Sequence, residues 1–121
     1  MTTLETTTTM VERPQQGAPF DEAQLAAAAF LARYSWRTLD AYRHDLRMFF
    51  QWASDSGLDV LKAVRPHIEL YRCAMEMRGL AASTTERRLS TVCGFYRFAH
   101  IDGRIAANPA QYVRRPKVAP R

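Results

Sequence analysis

Hydrophobic residues return every three or four positions along most of the chain, which is the spacing of amphipathic helices. A short helical turn is predicted at 58–64, and one last short helix after Asn108-Pro109. No alternating apolar and polar stretch of useful length indicates a β-strand. The sequence therefore predicts an all-α helical bundle of four main helices plus a short terminal helix. The main helices are predicted over residues 22–33, 38–53, 66–79 and 84–101.

The residue types at the helix ends agree with these boundaries. Asp21 can act as the N-cap of the first helix, Pro66 suits the first turn of the third, and Ser83 or Thr84 can cap the fourth. Within each helix, apolar residues that share one face are predicted to point inward. They are Leu25, Ala28, Ala29 and Ala32, then Leu39, Tyr42, Leu46, Phe49 and Ala53, then Ile68, Tyr71 and Met75, and finally Leu89, Val92, Tyr96 and Ala99.

A chain of 121 residues fits one small domain, and 47% hydrophobic with 24% charged residues is ordinary globular composition. Residues 1–19 are rich in Thr, Gln and Pro and are expected to be flexible. Residues 20–113 are expected to fold, and 114–121 to form a basic linker. The amino end has neither the positive charge nor the apolar run of a signal peptide, and no segment is long enough to span a bilayer. No membrane partner is therefore expected.

The cysteines and histidines do not form a recognisable metal or redox motif. Cys73 and Cys93 lack a Cys-x-x-Cys partner spacing and are predicted to be reduced, buried thiols. Together with His67 and His100 they lack zinc-ligand spacing. No metal site and no cofactor are expected.

The net charge of +5 is distributed unevenly along the chain. Residues 1–32 carry −3, whereas residues 33–51 carry +2, 78–111 carry +3 and 112–121 carry +4. This segregation indicates an anionic partner. Fifteen of the seventeen basic residues are arginine, which makes bidentate contacts with phosphate and guanine. The codon usage of a high-GC genome explains the excess of arginine equally well.

The predicted fourth helix has a small, polar and cationic face. Hydroxyls near a helix N-terminus can bind phosphate, and an arginine one turn later can reach guanine in the major groove. A glycine on this face would let the backbone of a partner come close. An ordinary solvated surface with a capping serine is the alternative. The residues of this face are Ser83, Arg87, Ser90, Thr91 and Gly94.

The second helix repeats the arrangement, with Ser35 and Thr38 at its start and Arg43 and Arg47 further along. Two such helices could hold a duplex from both sides of a groove. Asp40 and Asp45 are expected to pair with Arg43 or Arg47, or to repel phosphate. His44-x-x-Arg47 also occurs in phosphoryl-transfer sites, but the nucleophile and further cations that such a site needs are missing, so we interpret it as a coincidence.

Three stretches of the chain together resemble the N-terminal core-binding domain of tyrosine recombinases of the phage-integrase type. The resemblance covers about residues 24 to 117. It is carried by Ser35, Thr38, Tyr42, Leu46, Phe49 and Trp52, by GLAASTTERRLSTVCGFYRF, and by GRIAANPA followed by VRRPK.

The resemblance implies a SAM-like bundle that forms one half of a clamp around double-stranded DNA, with the catalytic residues in a separate C-terminal domain. It implies no catalytic residue in this chain, other recombinase subunits as partners on the same site, and a cytoplasmic location at the nucleoid or in a phage-infected cell. Without DNA the chain is expected to be a monomer. The DNA-binding residues predicted from the pattern and the resemblance are Ser35, Arg37, Thr38, Arg43, Arg47, Ser83, Thr84, Arg87, Arg88, Ser90, Thr91, Arg114, Arg115 and Lys117.

Two other functions agree with the same sequence. SAM-like bundles also bind proteins, so the chain could be a helical interaction module. A short protein that competes with a full recombinase for its DNA sites is the other alternative.

Overall fold

The structure, a computed structural model, describes residues 21–116. Within this range the chain has four α-helices and no strand, which confirms the predicted all-α class. The expected flexible segment 1–19 and the linker residues 117–121 lie outside the described residues. The helices are α1 (Glu22–Leu31), α2 (Trp36–Asp55), α3 (Arg65–Met77) and α4 (Ala82–Ile101), with a short 3₁₀ helix at Val60–Lys62 in the predicted 58–64 turn.

Helix α1 begins as predicted but turns a different face to the core. Asp21 is its N-cap and accepts a hydrogen bond from the Gln24 N–H at 2.7 Å. The buried residues are Ala26 and Phe30, whereas Leu25 is 39% exposed. The predicted inward face of Leu25 and its neighbours is therefore wrong. Phe30 has by far the most apolar surface to bury in this alanine-rich helix, so it sets the rotation of the helix.

Helix α4 is the central helix, because it contacts α1, α2 and α3. Its predicted inward residues Leu89, Val92, Tyr96 and Ala99 are all buried, and Phe95 is buried with them. Aromatic rings from α2 and α3 pack against this helix. The Phe49 ring lies 5.9 Å from that of Tyr96 and 5.0 Å from that of Tyr71, both in edge-to-face geometry.

Helices α2 and α4 contact each other through buried side chains. Asp45 of α2 contacts Arg87 and Thr91 of α4, and Phe49 of α2 contacts Tyr96 of α4. Arg88 of α4 shares a cavity with Gln51 and Asp55 of α2.

The 3₁₀ helix is attached to α4 by one buried hydrogen bond. The Tyr96 hydroxyl donates to the Val60 carbonyl oxygen at 2.7 Å. Burial, with a smaller effect from the charge of Asp59, raises the pKa of Tyr96 far above its ordinary value. This phenol therefore stays protonated and keeps its role as a donor.

After α4 the chain turns back along the bundle. Gly103 has a φ of 77°, which confirms the turn predicted at Asp102-Gly103. The short helix predicted after Asn108-Pro109 is wrong, because two turns with long 3.4 Å backbone hydrogen bonds occupy this stretch. The Asn108 side chain accepts the Ala110 N–H at 2.9 Å, and Ala110 and Val113 are buried. Burial of these two residues against the bundle decides the path of the chain.

Candidate nucleic-acid interface

The N-terminus of α2 presents polar and cationic groups to solvent. Ser35 is its N-cap residue, yet its side chain makes no capping hydrogen bond. Arg37 and Thr38 are exposed in the first turn. Trp36 is 87% exposed and has a φ of 58°, a left-handed backbone angle that is rare outside glycine. The first three N–H groups of the helix are directed outward without an intrahelical acceptor.

The N-terminus of α4 has the same character but begins earlier than predicted. The helix starts at Ala82, so Ser83 and Thr84 lie in its first turn and the prediction that one of them is the cap is wrong. The N-cap position belongs to Ala81, which has no side-chain acceptor. Alanine is a strong helix former, which explains why the helix extends to include Ala82. Ser83 is exposed and Thr84 is half-buried.

The other helices have a side-chain partner at their N-terminus. In α1, Asp21 accepts from Gln24 N–H, and in the 3₁₀ helix Asp59 accepts from Leu61 N–H at 3.1 Å. At the start of α3, the Val64 N–H donates to Nδ1 of His67 at 3.0 Å. In the described helices, the N-cap side chains of α2, α3 and α4 make no capping hydrogen bond, and of these three only α3 has another side chain, that of His67, bonded to its N-cap backbone.

A buried carboxylate links these two helices. Asp45 is fully buried, and its Oδ1 accepts a 2.5 Å hydrogen bond from Nη1 of Arg87. Its Oδ2 accepts a 2.7 Å bond from the Thr91 hydroxyl. The expected pairing of Asp45 with Arg43 or Arg47 is therefore wrong, whereas Asp40 does pair with Arg43 at 3.3 Å. The Arg87 side chain remains 47% exposed.

The structure corrects the predicted exposed face of α4 at two positions. Thr91 is 3% exposed, because its hydroxyl is directed at Asp45 rather than at solvent. A Cβ at Gly94 would lie 3.3 Å from the Phe30 ring, so this glycine allows α1 to pack closely and is not a contact surface for a partner. Ser90 stays exposed as predicted. Arg88 is half-buried and lines a cavity of about 130 Å³ with Tyr71 and Arg78.

The basic residues of α2 divide between two sides of the helix. Arg43 and Arg47 line a groove of about 360 Å³ between α1 and α2. Both are two residues away from Asp45 in sequence, so they lie about 160° around the helix axis from Asp45, which contacts α4. They are exposed, but they do not lie on one face with Arg87 as the two-helix interpretation required.

A second stripe of α2 lies nearer to α4. Of its residues, only Arg37 is among the predicted DNA-binding residues. Its residues recur at i, i+4, i+7 and i+11, which places them on one side of the helix. They are Arg37, Ala41, His44 and Met48.

The start of the predicted basic linker is bound to the bundle by acidic side chains. Arg115 donates to Glu86 through Nε at 2.8 Å and through Nη2. The Arg114 N–H donates to Glu69 at 3.1 Å. Burial opposes ionisation of Glu69, but the hydrogen bonds from Arg114 and Arg72 and nearby positive charge together lower its pKa. Arg114 itself is exposed, and Lys117 lies outside the described residues.

We expect Glu86→Gln to release this tail. The variant loses the charged, partly exposed pair between Arg115 and Glu86, which is worth about 0.5–1 kcal/mol. The population of molecules with the tail released from the bundle should therefore rise several-fold. Trypsin cleavage after Arg114 reports the change directly. Glu22→Gln is the matched control, since Glu22 only approaches Arg104, at 4.0 Å. Equal cleavage rates in both variants would contradict the docking role of Glu86.

The two cysteines are free and half-buried. Burial raises the pKa of the Cys93 thiol above its ordinary value, although Arg115 nearby opposes the effect. In residues 21–116, no three His, Cys, Asp or Glu side chains are grouped so that they could hold a metal ion. None of the helices in the described part is both long and apolar enough to cross a membrane.

Comparison with known proteins identifies the bundle. Residues 29–103 match the family described as phage integrase, N-terminal SAM-like domain. The chain belongs to this family. The matched range begins inside α1 and ends just after α4, so it contains both uncapped helix N-termini and the Asp45–Arg87–Thr91 contact. The SAM-like class expected from the resemblance is confirmed.

The curated relatives carry the name tyrosine recombinase XerC. The protein of Xanthomonas campestris pv. campestris strain B100 is 38% identical over 112 residues, which cover 87% of this chain and 34% of that protein. That of Xylella fastidiosa strain M23 is 38% identical over 84 residues, covering 69% of this chain and 29% of that protein. The chain thus spans about a third of the length of these relatives. No solved structure gave a significant match.

Proposed function

We propose that this domain binds double-stranded DNA as the core-binding part of a site-specific tyrosine recombinase. In this proposal the N-termini of α2 and α4 contact the phosphate backbone, and base readout is limited. The domain contributes no catalytic residue and holds the recombination site while another part of the recombinase carries out strand exchange.

The observation that carries the proposal is that α2 and α4 each begin without a side-chain cap and with exposed hydroxyl groups in or beside the first turn. Free N–H groups and the positive end of the helix dipole favour an anion, and hydroxyls nearby add further donors. Ser35 and Thr38 supply those hydroxyls on α2, and Ser83 supplies one on α4. Two such sites on one domain suit a polyanion that offers several phosphates. Most hydrogen bonds between proteins and DNA go to the backbone, where they fix orientation.

Arginine adds the charge that the neutral hydroxyls lack. Arg37 is exposed beside Thr38, and Arg87 is half-exposed one turn into α4. Glu86 lies next to Arg87 in the chain, but Arg115 already neutralises its carboxylate. Glu86 therefore opposes phosphate binding less than its formal charge indicates.

Titration of the full chain against a fluorescein-labelled duplex tests the proposal. At physiological salt we expect non-specific binding with a dissociation constant of about 10⁻⁴–10⁻⁶ M, and steep weakening between about 50 and about 200 mM salt. A duplex with a recombination core site and a scrambled duplex should differ only modestly. Absence of binding at low salt would contradict the proposal.

A second candidate function is contact with a protein partner, either another recombinase subunit or an unrelated protein. Apolar side chains on one side of the bundle favour it. Val64 is 54% and Tyr112 is 78% exposed, and with Pro109 they line a cavity of about 280 Å³. Sedimentation without DNA separates the two functions, because a DNA-binding domain is expected to be monomeric and a stable dimer would favour the interaction module.

A further inference from the structure

We propose that Asp45 is a positioning residue that holds the Arg87 guanidinium in the orientation needed to contact a DNA phosphate. The inference rests on the proposed function and adds a role for a residue that cannot itself touch DNA, since Asp45 is fully buried.

The carboxylate of Asp45 is fixed at both oxygens. Oδ1 accepts from Arg87 and Oδ2 accepts from Thr91, so the group cannot rotate without losing one of the two bonds. Thr91 is itself restrained, because a β-branched side chain in a helix has few rotamers and this hydroxyl lies 3.3 Å from the Arg87 carbonyl oxygen. The orientation of Arg87 is thus determined from the backbone of α4 through Thr91 and Asp45.

Only part of the guanidinium is used by this contact. An arginine has five N–H donors, and the pair to Asp45 occupies Nη1. The side chain is 47% exposed, so donors of the group remain directed at solvent. Arg87 lies one turn after Ser83, in the second turn of α4, whose N-terminus has no side-chain cap. A phosphate bound near that N-terminus meets a cation that is already ordered.

Simple electrostatics and positioning predict opposite effects of removing the Asp45 charge. If only charge matters, Asp45→Asn makes the domain more positive and should tighten binding to DNA. If Asp45 positions Arg87, the Arg87 side chain of the variant is flexible until it contacts DNA. The free energy needed to order it should then weaken DNA binding. Ordering one such side chain corresponds to a weakening of about threefold to tenfold. The sign of the change therefore distinguishes the two explanations.

The experiment measures anisotropy of a labelled duplex with the full chain at several salt concentrations. We expect Asp45→Asn to bind more weakly than wild type with an unchanged salt slope, because Arg87 keeps its charge. Arg87→Gln should weaken binding and lower the log–log slope by about 0.9. Asp40→Asn removes an exposed negative charge from the same helix and is expected to bind at least as tightly as wild type.

Two further variants separate positioning from loss of folding. In the Arg87→Gln background, Asp45→Asn should have no additional effect, whereas a repeated loss would mean that Asp45 acts through the fold. Thr91→Val removes one hydrogen bond to Asp45 without changing charge, and it should also weaken DNA binding. It replaces Asp45→Asn in the test if circular dichroism shows that Asp45→Asn does not fold. If the wild-type chain binds DNA and the Asp45→Asn variant binds it equally well or more tightly, the positioning role is overturned but the proposed function is not. No binding by the wild-type chain would overturn the proposed function as well.

Discussion

Replacing Arg37 and Arg87 together with glutamine is expected to weaken binding of duplex DNA by more than about 100-fold at low salt. Each arginine is expected to make one charged hydrogen-bonded contact, and such contacts are worth about 1.5–3 kcal/mol. Because two phosphate contacts are lost, the slope of log affinity against log salt should fall by about 1.8. Arg37 is exposed, but loss of Arg87 leaves the buried Asp45 carboxylate with Thr91 as its remaining partner, so circular dichroism is needed to show that the variant is folded at the titration temperature.

The matched control for this prediction is Arg43→Gln with Arg47→Gln. It removes the same charge from the same helix, but these residues line the groove between α1 and α2. Loss of long-range attraction alone should weaken binding by less than about tenfold, since charges separated by more than about 10 Å are largely screened at moderate salt. If the control variant loses more affinity than Arg37→Gln with Arg87→Gln, the DNA surface lies on the α1 side of α2.

Phe49→Ala is expected to reduce the free energy of unfolding by about 3–5 kcal/mol. Phe49 is fully buried, and its ring packs against those of Trp52, Tyr71 and Tyr96 from three elements of the bundle. Removal of the ring leaves a cavity between α2, α3 and α4. A domain of this size has only about 5–15 kcal/mol of total stability, so the variant should be close to unfolding at 37 °C. Urea denaturation followed by circular dichroism measures the loss.

Leu25→Ala provides the comparison for Phe49→Ala. Leu25 is 39% exposed on α1, so its truncation should lower the free energy of unfolding by less than about 1 kcal/mol. This result would also test the corrected orientation of α1, because the sequence pattern placed Leu25 in the core. A loss as large as that of Phe49→Ala would mean that Leu25 is buried in solution.

Two helices of this domain, α2 and α3, carry strong apolar periodicity and could be predicted from sequence for that reason. In α2, Leu46, Phe49 and Ala53 occupy the buried side, as predicted. In α1, a run of alanines makes every side of the helix similarly apolar, so the pattern could not choose among them. Phe30 decides the orientation through its contacts with Tyr42 and Phe95, which are distant in sequence.

The candidate site was only partly predictable for a related reason. Exposed basic and hydroxyl residues at the starts of α2 and α4 follow from local sequence, but the partner of Asp45 depends on where these helices cross. A signal was available, since Asp45 lies four residues before Phe49 and next to Leu46, within the buried side of α2. A carboxylate in that position needs a cationic or hydroxyl partner from another helix.

The docked tail shortens the reach of the residues that follow it. If the chain were free after Ile101, the fourteen residues to Arg115 could extend by about 50 Å, so a following segment could reach any side of the bundle. Burial of Val113 and the contact of Arg115 with Glu86 prevent this extension. If the domain binds DNA as proposed, a module joined to the chain after Pro116 would be held close to that DNA, at a higher effective concentration than an undocked tail would give.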